Sequence, residues 1–254
     1  MDFLKQIIDD VRLRVSRDYK NYAARPIERR RRSLIKAIRN EKRASIISEI
    51  KPASPSKGIL RYPLDAGEVA HLMEEGGAVA VSVLTEPQHF KGSLDNLLAA
   101  RRVVDLPILM KDFFVDEKQI HLAAESGADA VLLLPSICEL SAFIRRTHEL
   151  GLEALVEVHD EGDVEAAAQV GAGIIGINNR DLSTLRVDLH KTAELIPVIR
   201  RRCRDAVIVS ESGISTPRHV QYVLSKGVDA VLVGTSIMRS ADVKDKVRSL
   251  VECI

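Results

Sequence analysis

Hydrophobic residues from position 44 onward occur in eight short runs that are separated by polar segments. The runs are four to seven residues long, are mostly Val, Ile, Leu and Ala, and begin near residues 45, 78, 107, 128, 152, 173, 206 and 229. Short, continuous apolar runs are typical of strands that are buried on both faces of a parallel sheet. The pattern therefore predicts eight buried parallel strands.

The segments between these runs have the apolar spacing of amphipathic helices. Several begin with Asp, Ser or Thr, which cap helix N-termini, and five end at a glycine: 65–76, 116–127, 138–151, 160–171 and 215–227. Glycine is favoured just after a helix because it adopts the left-handed conformation without strain. The spacing therefore predicts helices that alternate with the strands.

Eight alternations of strand and helix form either an open doubly wound sheet or a closed barrel. The count of eight favours the barrel, and no GxGxxG follows the first strand to mark a dinucleotide-binding sheet. The length of 254 residues is also near the roughly 250 that such a barrel needs. We predict the α/β class, a (β/α)8 TIM barrel over 44–254 that forms one catalytic domain.

The first 43 residues differ in charge from the rest of the chain. They hold 14 Lys and Arg against 6 Asp and Glu, which suggests a surface for nucleic acid or an anionic membrane. However, Ile27, Leu34, Ile35 and Ile38 form one apolar helical stripe behind the basic residues. We therefore interpret 1–43 as a helical extension that packs on the barrel, across one of its mouths, and expect no nucleic-acid or membrane partner.

The overall composition indicates a soluble globular protein, with 46% apolar and 29% charged residues. No apolar run approaches the roughly 18 residues of a membrane span, and the N-terminus does not look like a signal peptide. Cys138, Cys203 and Cys253 lack ligand spacing, and no HxH or HExxH motif occurs. We expect a cytoplasmic protein with reduced thiols and no metal site.

In a barrel of this kind, catalytic groups lie at the carboxyl ends of the strands. Lysines and carboxylates that converge there perturb one another's pKa and become competent in acid–base chemistry. The predicted strand ends carry Glu49 and Lys51, Thr85 and Glu86, Lys111 and Asp112, Pro135, Glu157 and His159, Asn178 and Arg180, Glu211 and Ser212, and finally Gly234, Thr235 and Ser236.

The last two strand ends, SESGIST and VGTSIM, consist of glycine and hydroxyl residues. Barrels commonly bind phosphate after their seventh and eighth strands, where backbone N–H groups and a helix N-terminus face the anion. The sequence therefore predicts a phosphorylated small-molecule substrate.

The strings SEIKPASPSKG, PILMKDFFVDEKQI, LVEVHD, GINNRDL, SESGI and VGTSIM resemble the indole-3-glycerol phosphate synthase family of tryptophan biosynthesis. The resemblance runs in order from about residue 44 to 240, and the helical leader suits the family's N-terminal extension. It implies a carboxy-lyase that closes the indole ring of 1-(2-carboxyphenylamino)-1-deoxyribulose 5-phosphate with loss of CO2 and water. It also implies that no metal or organic cofactor takes part, and we expect a monomer or weak homo-oligomer.

The resemblance also implies roles for the residues at the strand ends. Lys111 matches the general acid and Glu157 the general base, while Lys51 would hold the substrate carboxylate. The residues that would orient hydroxyl groups and the two lysines are Glu49, Asn178 and Glu211.

The matched phosphate cradle comprises Ser54, Gly213, Gly234 and Thr235, with Ser212 at its edge. Phe90 and Phe113 are suited to pack on the anthranilate ring, because only 4% of the residues are aromatic. One departure from the family occurs after the first-strand lysine, where Pro52 and Ala53 stand in place of the basic residue that is often found.

Two other functions fit parts of the sequence. Phosphoribosylanthranilate isomerase is a related phosphosugar barrel, but it uses a cysteine at the first strand end, where this chain has Glu49 and Lys51. A non-catalytic protein whose basic leader binds nucleic acid would have no need to keep charges in the barrel mouth.

Overall fold

A computed structural model gives the fold and describes residues 3–20, 22–23, 31–181 and 184–254. Eight parallel strands form a closed barrel in which each strand pairs with its neighbours in chain order and the first pairs with the last, which confirms the predicted barrel. A short antiparallel hairpin, β2 (Ala53–Ser54) and β3 (Gly58–Ile59), follows the first strand. The barrel strands are β1 (Ile46–Ile50), β4 (Ala80–Leu84), β5 (Ile108–Lys111), β6 (Ala130–Leu133), β7 (Glu153–Val158), β8 (Ile174–Asn178), β9 (Val207–Glu211) and β10 (Ala230–Val233).

Helices follow the strands in sequence and pack around the barrel, and two more precede it. Among the described residues no helix is both long and apolar enough to cross a membrane. The helices are α1 (Phe3–Asp18), α2 (Leu34–Asn40), α3 (Ala66–Glu75), α4 (Leu94–Val103), α5 (Glu117–Glu125), α6 (Leu140–Glu149), α7 (Glu161–Gln169), α8 (His190–Arg202), α9 (Pro217–Ser225), α10 (Thr235–Met238) and α11 (Val243–Val251).

Side-chain caps and left-handed glycines bound the helices largely where the sequence predicts them. Asp65, Asp116 and Asp160 each accept a hydrogen bond from a backbone N–H in the first turn of the helix that follows. Four of the five predicted glycines have positive φ, but Gly76 does not, since its φ is −73°. The left-handed residue after α3 is Gly77, whose φ is 91°, because Gly76 is the C-cap of the helix and keeps a helical φ.

Helix α2 closes the barrel at the amino end of its strands. Leu34 and Ile38 are buried against the inward-facing layer of the strands, and Ile35 packs there partly buried. The helix begins at Leu34 because Ser33 and the Glu153 carboxylate accept hydrogen bonds from its first N–H groups. The predicted stripe is therefore shorter than expected, since residues 31–33 are not helical, and Ile27 lies outside the described residues.

Helix α1 lies at the opposite end, beside the barrel mouth. Ile7, Val11 and Val15 form a buried cluster against which Phe90 and Phe113 pack. The two N-terminal helices thus contact opposite ends of the barrel. The division into an extension 1–43 and a domain 44–254 stays a prediction about folding units.

Candidate active site

Lys111 stands at the centre of the carboxyl end of the barrel, surrounded by carboxylates from three other strands. Its Nζ lies 2.6 Å from Glu211 Oε2, 3.5 Å from Glu49 Oε1 and 3.9 Å from Glu157 Oε2. Inward-pointing side chains at the ends of barrel strands approach the common axis, and this brings together residues that are about 50 to 100 positions apart in sequence. The predicted convergence of these four residues is therefore present.

Lys51 joins this cluster through Glu49. Its Nζ lies 2.5 Å from Glu49 Oε2, so that one carboxylate faces both lysines. The Glu49 side chain is only 1% exposed, whereas the two lysines are each 18% exposed. Both ammonium groups can therefore meet a ligand in the mouth while their counter-ion stays buried.

Burial and charge act in opposite directions on Lys111. Burial alone would lower its pKa, but the negative charges of Glu211, Glu49 and Glu157 outweigh that effect and hold the pKa above its ordinary value. Burial would likewise raise the pKa of Glu49, but the two lysines bring it below its ordinary value. The unliganded site therefore holds Lys111 protonated and Glu49 ionised.

Glu157 is held in place from three sides. Asn178 Nδ2 donates a hydrogen bond of 2.8 Å to Glu157 Oε1, and His159 Nε2 lies 3.2 Å from the same oxygen. The other ring nitrogen of His159 lies 3.4 Å from Asp163. Burial opposes ionisation of Glu157, but His159 and Lys111 outweigh it and lower the pKa of Glu157. For Glu211 the outcome is the reverse, because burial and the charge of Glu157 raise its pKa. At a given pH, Glu157 is therefore more readily ionised than Glu211.

A cavity of about 380 Å³ opens beside the two lysines toward β9 and β10. Ser212 and Gly213 there both have positive φ, 67° and 82°. Within the described ranges, the backbone N–H groups of Gly213, Ile214 and Ser215 donate to no other protein atom, which suits an anion. The wall also contains two further predicted residues and nearby cations: Gly234, Thr235, Lys57 and Arg239.

Glycine is favoured at two positions of this cavity because an added side chain would force a neighbouring residue to move. A Cβ on Gly234 would collide with the Glu49 carboxylate, and one on Gly213 would collide with Val187. The polypeptide backbone can therefore approach a ligand closely on this side.

A second cavity of about 100 Å³ adjoins the lysines on the side of β4, β5 and β6. The rings of Phe90 and Phe113 lie in its wall with centroids 6.2 Å apart, and the other apolar lining residues are Leu84, Leu132 and Leu134. An aromatic ring fits such an apolar wall next to cations.

Two acids at strand ends position the turns that carry these aromatic residues. The Glu86 carboxylate accepts hydrogen bonds from the backbone N–H groups of residues 88–90. Asp112 accepts from the N–H of Phe113, from Thr85 and from Arg14 on α1. Each acid therefore fixes the turn that carries one phenylalanine.

Ser54 lies apart from the glycine-lined cavity. It lines a third space of about 70 Å³ together with Pro55, Phe90 and Thr235. Its buried Oγ has no hydrogen-bond partner among the described residues. Thr235 also borders the larger cavity, so Ser54 faces a neighbouring compartment.

Arg180 is a strand-end residue to which the sequence assigns no role, although it lines all three of these cavities. Its guanidinium donates to the Leu185 carbonyl at 2.8 Å, and its N–H donates to Asn178 Oδ1. The signal that could have identified it is its position two residues after Asn178, on the same side of an extended chain.

The chain matches the family model described as indole-3-glycerol phosphate synthase over residues 4–250. It is 48% identical over 230 residues to an indole-3-glycerol phosphate synthase of Methanocaldococcus jannaschii, with 88% of this chain and 85% of the relative covered. The enzyme of that name from Clostridium acetobutylicum is 41% identical over 247 residues, with 94% and 93% covered.

Solved structures show the likeness of the fold. A thiamine phosphate pyrophosphorylase from Pyrococcus furiosus matches with a TM-score of 0.63 at 18% identity, over 83% of this chain and 94% of that chain. At so low an identity the match supports the barrel alone.

Proposed function

The chain belongs to the indole-3-glycerol phosphate synthase family, and from this premise we propose which of its residues carry the reaction. Enzymes of this family are carboxy-lyases of tryptophan biosynthesis that use a phosphorylated small-molecule substrate. They close the indole ring of 1-(2-carboxyphenylamino)-1-deoxyribulose 5-phosphate with loss of CO2 and water. The roles that follow are derived from the charges and contacts of the site.

Lys111 acts as the general acid in ring closure. The aromatic carbon that bears the carboxylate attacks the ribulose carbonyl, and the oxygen of that carbonyl must gain a proton. The carboxylates around Lys111 hold its pKa above the ordinary value, so the ammonium form enters the reaction. Glu211, at 2.6 Å, orients this ammonium toward the cavity.

Lys51 holds the substrate carboxylate until CO2 leaves. Its ammonium group lies between Glu49 and the apolar cavity that contains Phe90 and Phe113. An aromatic ring in this cavity would bring its carboxylate next to the cation, which stabilises the early negative charge. After decarboxylation, Lys51 is also the candidate donor to the departing hydroxyl group.

Glu157 is the base that accepts a proton as water is expelled. His159 and Lys111 lower its pKa, so it is ionised and able to accept. Asn178 fixes one of its oxygens at 2.8 Å and leaves the other directed toward Lys111.

The phosphate of the substrate binds in the cavity of about 380 Å³. The unpaired N–H groups after Ser212 and the N-terminus of α10 at Thr235 face a dianion favourably. Ser54 contacts the substrate from the adjoining compartment, beside Thr235.

The observation that carries the proposal is the contact of Lys111 with carboxylates from three strands, between an apolar and a glycine-lined cavity. Purified protein given the phosphorylated anthranilate adduct should form a product with indole fluorescence. Lys111→Ala should lower kcat by about 10²- to 10⁴-fold with an unchanged circular dichroism spectrum.

Lys36→Ala, which removes an exposed ammonium from α2, is the control and should leave kcat within about twofold, as expected of a surface change. No fluorescent product from the parent protein would contradict the proposed reaction. Full activity of Lys111→Ala would contradict the role of Lys111. A cytoplasmic location and a monomeric or weakly associated state stay predictions.

A further inference from the structure

Asn179 follows Asn178 in sequence, but its side chain points out of the barrel. Successive side chains of a strand alternate in direction, so Asn178 reaches Glu157 while Asn179 reaches Thr192 on α8. Asn179 is 1% exposed. A buried amide is costly unless its groups are hydrogen-bonded, and this amide is bonded on every side.

The Asn179 side chain closes a ring of buried hydrogen bonds. Its Oδ1 accepts from Thr192 Oγ1 at 2.7 Å, and its Nδ2 donates to Ser210 Oγ at 3.0 Å. The hydroxyl groups of Thr192 and Ser210 lie 2.7 Å apart. The carbonyl oxygens of Glu211 and Ser212 can only accept, so Nδ2 faces them and Oδ1 faces Thr192, whose hydroxyl donates to it.

The amide also binds the backbone at the end of β9. Asn179 Nδ2 lies 2.8 Å from the carbonyl oxygen of Glu211 and 3.2 Å from that of Ser212. The backbone N–H of Asn179 donates to the same Glu211 carbonyl at 3.0 Å. One residue thus holds two consecutive carbonyl groups of the next strand end.

Those carbonyl groups belong to a turn that needs outside support. Ser212 and Gly213 are both in the left-handed region, which costs a non-glycine residue about 1 to 2 kcal/mol. Such a conformation persists only when its surroundings enforce it. The contacts of Asn179 supply that enforcement from behind the turn.

We propose that Asn179, anchored by Thr192, is a positioning residue that holds the Glu211–Gly213 turn in the shape that receives the substrate phosphate. The proposal rests on the proposed function of this site. The same turn carries the Glu211 carboxylate at its start, so its shape sets both the partner of Lys111 and the N–H groups of the anion cavity.

The primary test compares Thr192→Val, which removes the hydroxyl at nearly constant volume, with Thr192→Ser, which keeps it. Thr192→Val should raise KM and the dissociation constant of inorganic phosphate, measured by calorimetry, by about three- to tenfold, as expected for one hydrogen bond. Thr192→Ser should stay within about twofold of the parent. Asn179→Ala should raise both constants by about tenfold or more and lower kcat.

Thr147→Val is the matched control, since Thr147 is a fully buried threonine on α6 whose hydroxyl, within the part of the chain that the structure describes, bonds only to the Phe143 carbonyl of its own helix. It should lower the melting temperature without changing KM or phosphate affinity. Parent-like KM and phosphate affinity in Thr192→Val and in folded Asn179→Ala would overturn the proposal. If the parent makes no indole product while Thr192→Val still weakens phosphate binding, the proposed reaction fails and the positioning role stands.

Discussion

The third and seventh barrel strands, β5 and β9, have matching amino ends and opposite carboxyl ends. Before β6, Asp129 accepts from the N–H of Ile108 and pairs with Arg101; before β10, Asp229 accepts from the N–H of Ile208 and pairs with Arg200. In both units the arginine also bonds to carbonyl groups at the start of the strand. We call these the Arg101–Asp129 clamp and the Arg200–Asp229 clamp.

At the carboxyl end the correspondence stops. Lys111 occupies the position of β5 that Glu211 occupies in β9, and Phe113 occupies that of Gly213. Strands β5 and β9 are four apart in an eight-stranded barrel, so their inward ends face each other across the axis. The two residues meet at 2.6 Å. One backbone frame thus supports a cationic end beside an apolar wall and an anionic end beside the glycine-lined cavity.

Exchanging the two ends tests the comparison most strongly. The double variant Lys111→Glu with Glu211→Lys keeps the pair and the net charge, but moves the ammonium away from the Phe113 side. We expect kcat to fall by about 10³-fold or more, because the proton donor is displaced. Turnover and urea unfolding should be measured together.

The single variant Lys111→Glu is the control for stability. It removes the central cation and crowds four carboxylates together, so it should be less stable than the double variant. Retained turnover in the double variant would mean that the two strand ends are interchangeable.

Burial distinguishes the clamps. The side chains of Arg101 and Asp129 are 11% and 0% exposed, whereas those of Arg200 and Asp229 are 34% and 39% exposed. Arg101→Met removes the Arg101 guanidinium from a buried carboxylate and should cost about 3 kcal/mol of unfolding free energy. Arg200→Met should cost about 1 kcal/mol, since water solvates Asp229. Equal losses in urea unfolding would show that the clamps are equivalent.

The smallest expected effect concerns the pH dependence of the site. The charge of Glu211 helps to hold the pKa of Lys111 above its ordinary value. In Glu211→Gln that pKa should fall, so the alkaline limb of kcat/KM should move to lower pH. Glu252→Gln, at an exposed position of the C-terminus, should leave the limb where it is. A limb that moves upward would contradict the assignment of Lys111 as the acid.

The fold and the convergence of charged strand ends could be predicted from sequence because both depend on the spacing of apolar residues along the chain. Buried parallel strands are continuous apolar runs. The barrel brings their polar carboxyl ends together, and this does not depend on the conformation of the loops. Lys111, Glu157 and Glu211 could therefore be grouped without coordinates.

Residues whose role depends on direction could not be derived. Arg180 and Ser54 lie beyond strand ends, where the path of a loop decides which cavity a side chain enters. Asn179 looks like a second copy of Asn178 until the outward direction of its side chain is known. The start of α2 depends on Glu153, 119 residues from Leu34, and no local pattern contains that contact.

That distance has a consequence for synthesis on the ribosome. Leu34 leaves the ribosome long before Glu153, which caps its helix, and before β7 to β10, which supply part of the surface that buries it. At about 5 to 20 residues per second, the 119 residues that separate them take about 6 to 24 s to translate. During that time the surface that buries Leu34 and Ile38 is incomplete, so this early segment reaches its full burial only after the last strands have been made.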